Sequence, residues 1–266
     1  MRPLEDQTIL ITGATDGLGR ALAAELAGAG ATILVHGRND DRGRETLENI
    51  GGGEWFRADL SSLAEVRALA QRVLDGHDRL DVLVNNAGIG TAGDRLESAD
   101  GYELHFAVNY LAGYLLTRLL LPLLERSAPA RIVNVSSAGQ APIDFDDVML
   151  ERRYDGVQAY CQSKLAQIMF TFDLADELRH GGVTATCLHP ATYMPTKMVH
   201  AAGVEPISSL EQGVQATLRL VADPEIDGVS GQYFNGTRPA EPHRQADDPN
   251  ARRRLRELSD RLTGLA

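Results

Sequence analysis

A tyrosine and a lysine one helical turn apart are the residues in this 266-residue chain best suited to moving a proton. Tyr160 and Lys164 lie in AYCQSKLAQIMF, and a spacing of four puts both on one face of a helix. A free phenol has a pKa near ~10, too high for efficient acid–base work at neutral pH. An ammonium about 4 Å away, across an effective dielectric near ~20, favours the phenolate by roughly 4 kcal/mol. That would bring the phenol to about 7. Ser136 and Ser137 follow the apolar run ARIVNV, and a hydroxyl there can steady a substrate oxygen as charge develops on it. Asn109 lies in an otherwise apolar stretch, where it is either a polar anchor of the site or an amide bonded to nearby backbone. Tyr110 and Tyr154 read as packing or surface tyrosines.

A second group of residues could hold a dinucleotide. Thr12-Gly13-Ala14-Thr15-Asp16-Gly17-Leu18-Gly19 separates an apolar run from a helical pattern. Gly13 suits a tight turn, Gly17 a close approach to pyrophosphate, and Gly19 close packing of helix on strand. Thr15, Asp16 and Leu18 complete the loop, and the helix it opens points free amides and a positive dipole end at phosphate. Gly28 and Gly30 mark only the end of that helix. Arg38, after the second apolar run, stands where a 2′-phosphate would sit, whereas an acidic residue there would hold a free ribose hydroxyl. Asp59, with Leu60 beside it, is a candidate for the adenine amine and equally a neighbour of a helix start at Ser61. Asn86, Ala87 and Gly88 close the fourth apolar run, and Pro190, Thr192 and Thr196 follow the sixth.

The elements that must position these residues alternate. Strand patterns at 7–12, 31–36, EWFRA, LDVLVNNA, 130–137, 183–189 and 231–236 are separated by helical ones. The longest helical patterns cover the stretch from YELHF to LLER, 157–180, about 208–222, and the polar tail DDPNARRRLRELSDRL. This order predicts an α/β fold, a doubly wound parallel sheet of about seven strands (a Rossmann fold), as one domain over 1–266. The strands are almost wholly apolar, as expected when helices cover both faces.

Composition narrows the function. Acidic residues outnumber basic ones 37 to 26, a net charge of −11, which argues against nucleic acid as a partner. Two cysteines cannot build a disulfide framework, and a reducing, cytoplasmic location is the simplest reading. The seven histidines show no metal-ligand spacing, so no metal is expected. The opening residues show no leader pattern. The apolar run YLAGYLLTRLLLPLL, broken by Arg118 and Pro122, reads as too short for a membrane span, and no membrane partner is expected.

Taken together, TGATDGLG (12–19), NNAG (85–88), the in-helix Asn109, the Ser136-Ser137 pair and YCQSK (160–164) resemble the short-chain dehydrogenase/reductase family over about 7–236. The resemblance implies hydride transfer between a nicotinamide cofactor and a ketone, aldehyde or alcohol. Tyr160 would be the acid/base, with Lys164 tuning it and holding the nicotinamide ribose. Ser137 rather than Ser136 would bond the substrate oxygen, and Asn109 would anchor a water that relays protons to Lys164. Arg38 favours NADP over NAD. Two departures stand out. Ala191 replaces the family's glycine after Pro190, so Thr192 and Thr196 both remain candidates for the nicotinamide. Ser137 and Tyr160 are 23 residues apart, where many members have about a dozen. The additional segment, with AYCQSKLAQIMF and the basic tail, resembles the retinol-dehydrogenase-like branch, which implies a lipophilic substrate.

The different-class alternative is a dinucleotide-binding scaffold or regulator without turnover. An epimerase or dehydratase fits the glycine spacing poorly. By the same resemblance the helices at 103–126 and 158–180 would pair across a two-fold in a homodimer or homotetramer. Leu116, Leu119, Met169 and Phe172 are either its contacts or core residues. The stretch 140–156, with Met149, is expected to be a mobile flap or a surface loop packed on the body. The stretch 193–207 would form a second mobile wall.

Overall fold

The computed structural model describes residues 1–90 and 93–266. Seven parallel strands form the sheet: β1 (Thr8–Ile11), β2 (Thr32–Gly37), β3 (Glu54–Arg57), β4 (Val82–Asn85), β5 (Ala130–Val135), β6 (Val183–His189) and β7 (Gln232–Asn235). A two-residue β8 (Arg238–Pro239) adds an antiparallel edge that its length hid from the sequence pattern. The order is β3-β2-β1-β4-β5-β6-β7-β8, so the winding reverses between β1 and β4. The crevice outside the carboxyl ends of those two strands is the general ligand position of such sheets. The fold is therefore the doubly wound α/β architecture expected.

Helices cover both faces because the strands are apolar on both. One layer, with α1 (Gly17–Gly28), α2 (Asp40–Ile50) and α7 (Leu210–Ala222), packs around Ile9, Ile11, Val35 and Val84. The other, with α3 (Leu63–Gly76), α4 (Ala112–Arg126) and α5 (Gly156–Leu178), packs around Leu10, Leu34, Leu83 and Ile132. Helix starts are fixed by side-chain caps: Asp16 accepts from the Gly17 amide, Ser62 from Glu65, and Asp155 from Gln158. A short α6 (Lys197–Ala201), capped by Thr196, lies within the stretch expected to form a second wall.

Beneath the switch point a buried polar ladder ties sheet to helices. Asn85 Nδ2 donates to Thr117 Oγ1 on α4 at 2.9 Å and to Asn134 Oδ1 on β5 at 2.8 Å. Asn134 Nδ2 in turn donates to Thr171 Oγ1 on α5 at 2.9 Å. Each amide would be costly in this core without its partner.

The helix continuous with α4, Phe106–Arg126, has 21 residues, long and apolar enough to cross a membrane, but 72% of its apolar window is buried inside the fold. Its composition is that of a core helix. Its length, counted from Phe106, corrects the expectation that the run is too short.

The face that α4 and α5 share is covered in part by the chain itself. The tail forms α8 (Pro249–Thr263), laid on α5 with Leu255 in the core. Arg256 pairs with Asp173 at 3.0 Å and Arg252 with Asp176 at 2.9 Å. Tyr110 shares a hydrogen bond with Ser259, and Tyr114 donates to Asp260. Leu116 and Met169 are fully buried within this one chain, while Leu119 and Phe172 pack against the same core. Leu116 and Met169 are therefore core residues, Leu119 and Phe172 are only partly covered, and α8 covers part of the α5 face.

Leu255→Ala should remove about 2–5 kcal/mol of stability, the usual range for a fully enclosed leucine, measured by urea unfolding. A loss under about 0.5 kcal/mol, typical of surface positions, would mean that α8 does not seal the core.

Candidate active site

Strand β5 ends at Val135, which frees the next two residues for different tasks. Ser136 Oγ donates to the Lys164 carbonyl at 2.7 Å and fastens α5 to the sheet edge. Ser137 faces the Tyr160 hydroxyl, and its Oγ accepts the Gly139 amide at 3.0 Å. Its carbonyl takes Tyr233 Oη at 3.1 Å and Gln140 Nε2 at 3.0 Å, so β7 and the next loop hold its backbone. Lys164 lies one turn beyond Tyr160 on the same face of α5, with Nζ 5.8 Å from the tyrosine ring centroid.

The electrostatics of this pair differ from the sequence expectation. Lys164 Nζ donates to two neutral oxygens, Val135 O and Gln167 Oε1, both at 3.0 Å. Burial without a carboxylate pulls the ammonium down to about 7. Burial also pushes the Tyr160 phenol up, with a hydrogen bond from Ser137 acting the other way. The expected lowering of Tyr160 by a close ammonium is thus not the resting arrangement. The lysine is the group whose proton lies near neutrality.

Asn109 sits in a π-helical stretch, Phe106–Leu111, that runs into α4. The wider turn rotates the side chains beyond it relative to an unbroken α-helix, as π-bulges often do at functional sites. The Asn109 amide reads the backbone of Ile89 from both sides: Oδ1 accepts the Ile89 amide at 2.7 Å and Nδ2 donates to the Ile89 carbonyl at 3.2 Å. Nδ2 also donates to Ser163 Oγ at 3.0 Å. The side chain is therefore bonded to nearby backbone, the plainer of the two readings, and it fixes the loop after β4. A Cβ added at Gly88 would lie 3.3 Å from Asn109 Oδ1 and 3.4 Å from Lys164 Nζ. That glycine keeps the approach to Lys164 open.

The glycine loop is braced from two neighbouring strands. Thr12 Oγ1 accepts the amides of Asn86 and Ala87, each at 3.0 Å, and Asn86 Nδ2 donates to Thr12 O at 2.8 Å. A Cβ at Gly19 would collide with Asn86 Nδ2 and Gly13 O, the close packing expected of it. Gly13 and Gly17 take φ of 67° and 49°, open to glycine without strain. His36, fully enclosed on β2, accepts the Gly13 amide at Nδ1 (3.2 Å), while Nε2 meets Ala58 O at 3.1 Å. The ring is thus the Nε2–H tautomer, and burial holds it down to about 4. Among the described residues nothing accepts from the amides of Leu18 and Gly19 at the head of α1, which leaves them for an anion. The side chains of Leu18, Leu60 and Pro190 are buried, so only their backbone can face a nucleotide.

At the far end Arg38 is largely exposed and lies 3.5 Å from Asp59. Against the upward push of partial burial, Ser61 and Arg38 hold Asp59 below the usual carboxylate range. Asp59 Oδ1 also accepts the Ser61 amide at 2.9 Å, so it braces the start of α3 as well. Asp16 pairs with Lys197 at 2.6 Å and Arg42 at 3.3 Å. Thr15 sits against Gly37. The two candidate threonines separate: Thr192 Oγ1 lies 2.9 Å from His189 Nε2, whereas the Thr196 methyl packs against Gly17. Free amides, a Cβ-free channel and an exposed arginine fit a dinucleotide laid from Arg38 to Lys164.

Residues 7–205 match the short chain dehydrogenase family. The chain belongs to the short-chain dehydrogenase/reductase family. Within it, retinol dehydrogenase 14 of Homo sapiens is 38% identical, with 98% of this chain and 88% of that protein covered. A structure of an uncharacterised protein from Mycobacterium paratuberculosis superposes with a TM-score of 0.81 at 31% identity, covering 97% of this chain and 94% of that one. A short-chain dehydrogenase from Escherichia coli CFT073, complexed with NADPH, gives 0.72 at 28% identity over 87% and 96% of the two chains. This short-chain dehydrogenase is accordingly a retinol-dehydrogenase-like, nicotinamide-dependent oxidoreductase acting on CH–OH groups.

In this dehydrogenase the 140–156 segment is a built wall and not a free flap. Ile143, Val148 and Leu150 are buried, and Met149 packs against the core. Gln162 Nε2 donates to Val148 O at 2.7 Å, Arg95 Nε to Met149 O at 3.0 Å, and Gln245 brackets the Ile143 backbone. Its apolar residues pack on the body, as the surface-loop alternative expected. The second wall, with Tyr193, Met198 and Ile207, is exposed, and a Cβ at Gly90 would meet Met198 Cγ at 2.5 Å. His36, Ser163, Gln167 and Tyr233 were missed as site-shaping residues. Only Ser163 and Gln167 carried a signal, their position beside Lys164.

Lys164→Met should abolish turnover yet stabilise the fold. The lysine's lowered folded pKa means that the unfolded chain binds the additional proton between about 7 and the ordinary lysine range, so wild-type stability rises with pH there. The variant's gain in urea midpoint should be largest at or below pH 7 and shrink toward pH 10. An equal midpoint at every pH would contradict a buried, unpaired ammonium.

Proposed function

We propose that this enzyme interconverts a lipophilic ketone or aldehyde and its alcohol, with NADP as the preferred cofactor. The observation that carries the reading is the grouping of Ser137, Tyr160 and Lys164, with Ser137 against the Tyr160 hydroxyl and Lys164 beside Gly88, together with the braced glycine loop and Arg38. The bound nicotinamide supplies or accepts the hydride. Tyr160 gives its phenolic proton to the carbonyl oxygen during reduction and takes it back during oxidation. The Ser137 hydroxyl donates to the same oxygen and steadies its developing charge. Lys164 in its ammonium form favours the phenolate left behind, and its pKa about 7 lets it pass a proton on. The Asn109 amide is spent on Ile89 and Ser163, so a relaying water would use that residue's main-chain carbonyl. The retinol dehydrogenase relatives support a lipophilic substrate. The free cysteines Cys161 and Cys187 support a cytosolic location. A homodimer or homotetramer remains the proposed assembly.

NADPH should bind about 10–150-fold more tightly than NADH, the worth of one charge-assisted phosphate contact at Arg38. Fluorescence titration of both reduced cofactors checks this. Arg38→Asp should reverse the order, and equal affinities or tighter NADH in the wild type would sink the NADP preference.

Tyr160→Phe should lower kcat by about 10²-fold or more while the Kd for NADPH stays within about twofold. Assay across a panel of ketones, aldehydes and alcohols tests the reading. A variant that keeps about a tenth of the rate would remove Tyr160 from the acid/base role.

A further inference from the structure

A second pair of buried ionisable groups lies beside the site and is not used by the chemistry above. Glu103 and His105 stand just ahead of the π-helical stretch, where 96–98 pairs with 102–104 as a short hairpin. Glu103 is completely enclosed and His105 is 4% exposed. The carboxylate divides its oxygens: Oε2 accepts the Phe106 amide at 2.7 Å, and Oε1 lies 2.7 Å from His105 Nδ1. The other ring nitrogen, Nε2, lies 2.7 Å from the Gly90 carbonyl.

Both nitrogens of His105 thus face acceptors. A neutral imidazole has one N–H and can serve only one of them, whereas an imidazolium serves both. His36, with a donor on one nitrogen and an acceptor on the other, is the neutral counterpart in the same molecule.

The segments joined here all border the site. Gly90 belongs to the loop that Asn109 holds at Ile89. The 140–156 wall meets the pair twice: the Glu103 amide lies 3.3 Å from Met149 Sδ, and Tyr154 Oη lies 3.5 Å from His105 Nδ1. The π-helical stretch carries Asn109 itself. We propose that Glu103 and His105, as a buried ion pair, are positioning residues that clamp the loop after β4 and the 140–156 wall to the helix bearing Asn109, and so set the substrate side of the site. The proposal deepens the carbonyl–alcohol reading, since it concerns where that substrate rests.

The charges that face the pair are few. Tyr154 approaches from the wall, and Arg95 from 93–97, the latter paired to Glu97 and near Glu151. Asp94 and Asp155 lie near Tyr154. Burial pulls His105 down, but its bonds to Glu103 and Gly90 outweigh that and raise it above the ordinary imidazole range. A raised folded pKa contributes stability that is whole below the unfolded value and is lost as pH rises through the folded one. The clamp therefore loosens on the alkaline side.

The test is steady-state kinetics on the full chain with saturating NADPH and a carbonyl substrate, between pH 6 and 9.5. Glu103→Gln combined with His105→Gln removes both charges and leaves no unpaired ion. KM for the carbonyl should rise about 5–10-fold with kcat changed less than about threefold, and the Kd for NADPH should stay the same. In the wild type KM should climb as His105 loses its proton, and that rise should be missing from the profile of the double variant. Unchanged KM with an unchanged pH profile overturns the proposal. The nitrogen shifts of the His105 ring in labelled wild-type protein, assigned by loss of its signal in His105→Gln, give a readout that needs neither turnover nor a stable double variant. Both nitrogens should carry protons at pH 7, and a neutral ring there overturns the proposal. A chain that turns over no carbonyl or alcohol would sink the catalytic reading while the ring protonation still decides this one.

Discussion

An ammonium ion held by neutral oxygens, far from water, is the constraint around which the catalytic half of this molecule is arranged. Among the described residues Lys164 Nζ has only Val135 O and Gln167 Oε1 as partners. The first is available because β5 stops at that residue and leaves its last carbonyl free of the ladder. The second is one turn farther along α5, which Ser136 pins in register through the Lys164 carbonyl. Moving α5 by a fraction of a turn would strand the charge. The caps, the Asn85–Asn134–Thr171 ladder and the seal of α8 all oppose such a shift. A carboxylate partner would quiet the ammonium and make it useless for proton exchange near neutrality. Its absence is what places the lysine within reach of pH 7.

The two enclosed histidines illustrate how burial and partner type together set charge. His36 and His105 both have little exposed surface, but His36 lies deeper. One meets an amide and a carbonyl and is neutral; the other meets a carboxylate and a carbonyl and is charged. The neutral ring braces the cofactor loop, where an added positive charge beside Gly13 would turn a donor against a donor. The charged ring sits on the opposite flank, next to groups that accept. Cofactor and substrate flanks are thus braced by the same side chain in opposite protonation states.

The glycine loop, the Tyr160–Lys164 pair and the parallel order were legible because each depends on local spacing. A turn needing glycine, a helix face and an apolar strand all leave a short-range pattern. His36 left none, since a lone histidine in an apolar strand looks like any core residue until Gly13 and Ala58 are known to flank it. The sign of the pKa shifts at Tyr160 and Lys164 was also out of reach, because burial depends on the whole sheet edge. The 140–156 segment, with five acidic residues, was read as a flap or a surface loop. Its apolar ones occur at irregular spacing, and only the body they pack on reveals them as a wall. The apolar faces of α4 and α5 demanded a cover, and nothing local named α8 as part of it.

That cover has a temporal side. Helices α4 and α5 emerge from the ribosome well before α8, and at ordinary elongation rates the interval is on the order of several seconds. During it Tyr110 and Tyr114 lack their α8 partners Ser259 and Asp260, and the core cluster lacks Leu255. The nascent protein then presents an apolar patch that the finished one does not. Its yield in cells should therefore depend on how quickly residues 249–263 follow, so that slow codons after 180 would lower soluble expression while the amino-acid sequence stayed the same.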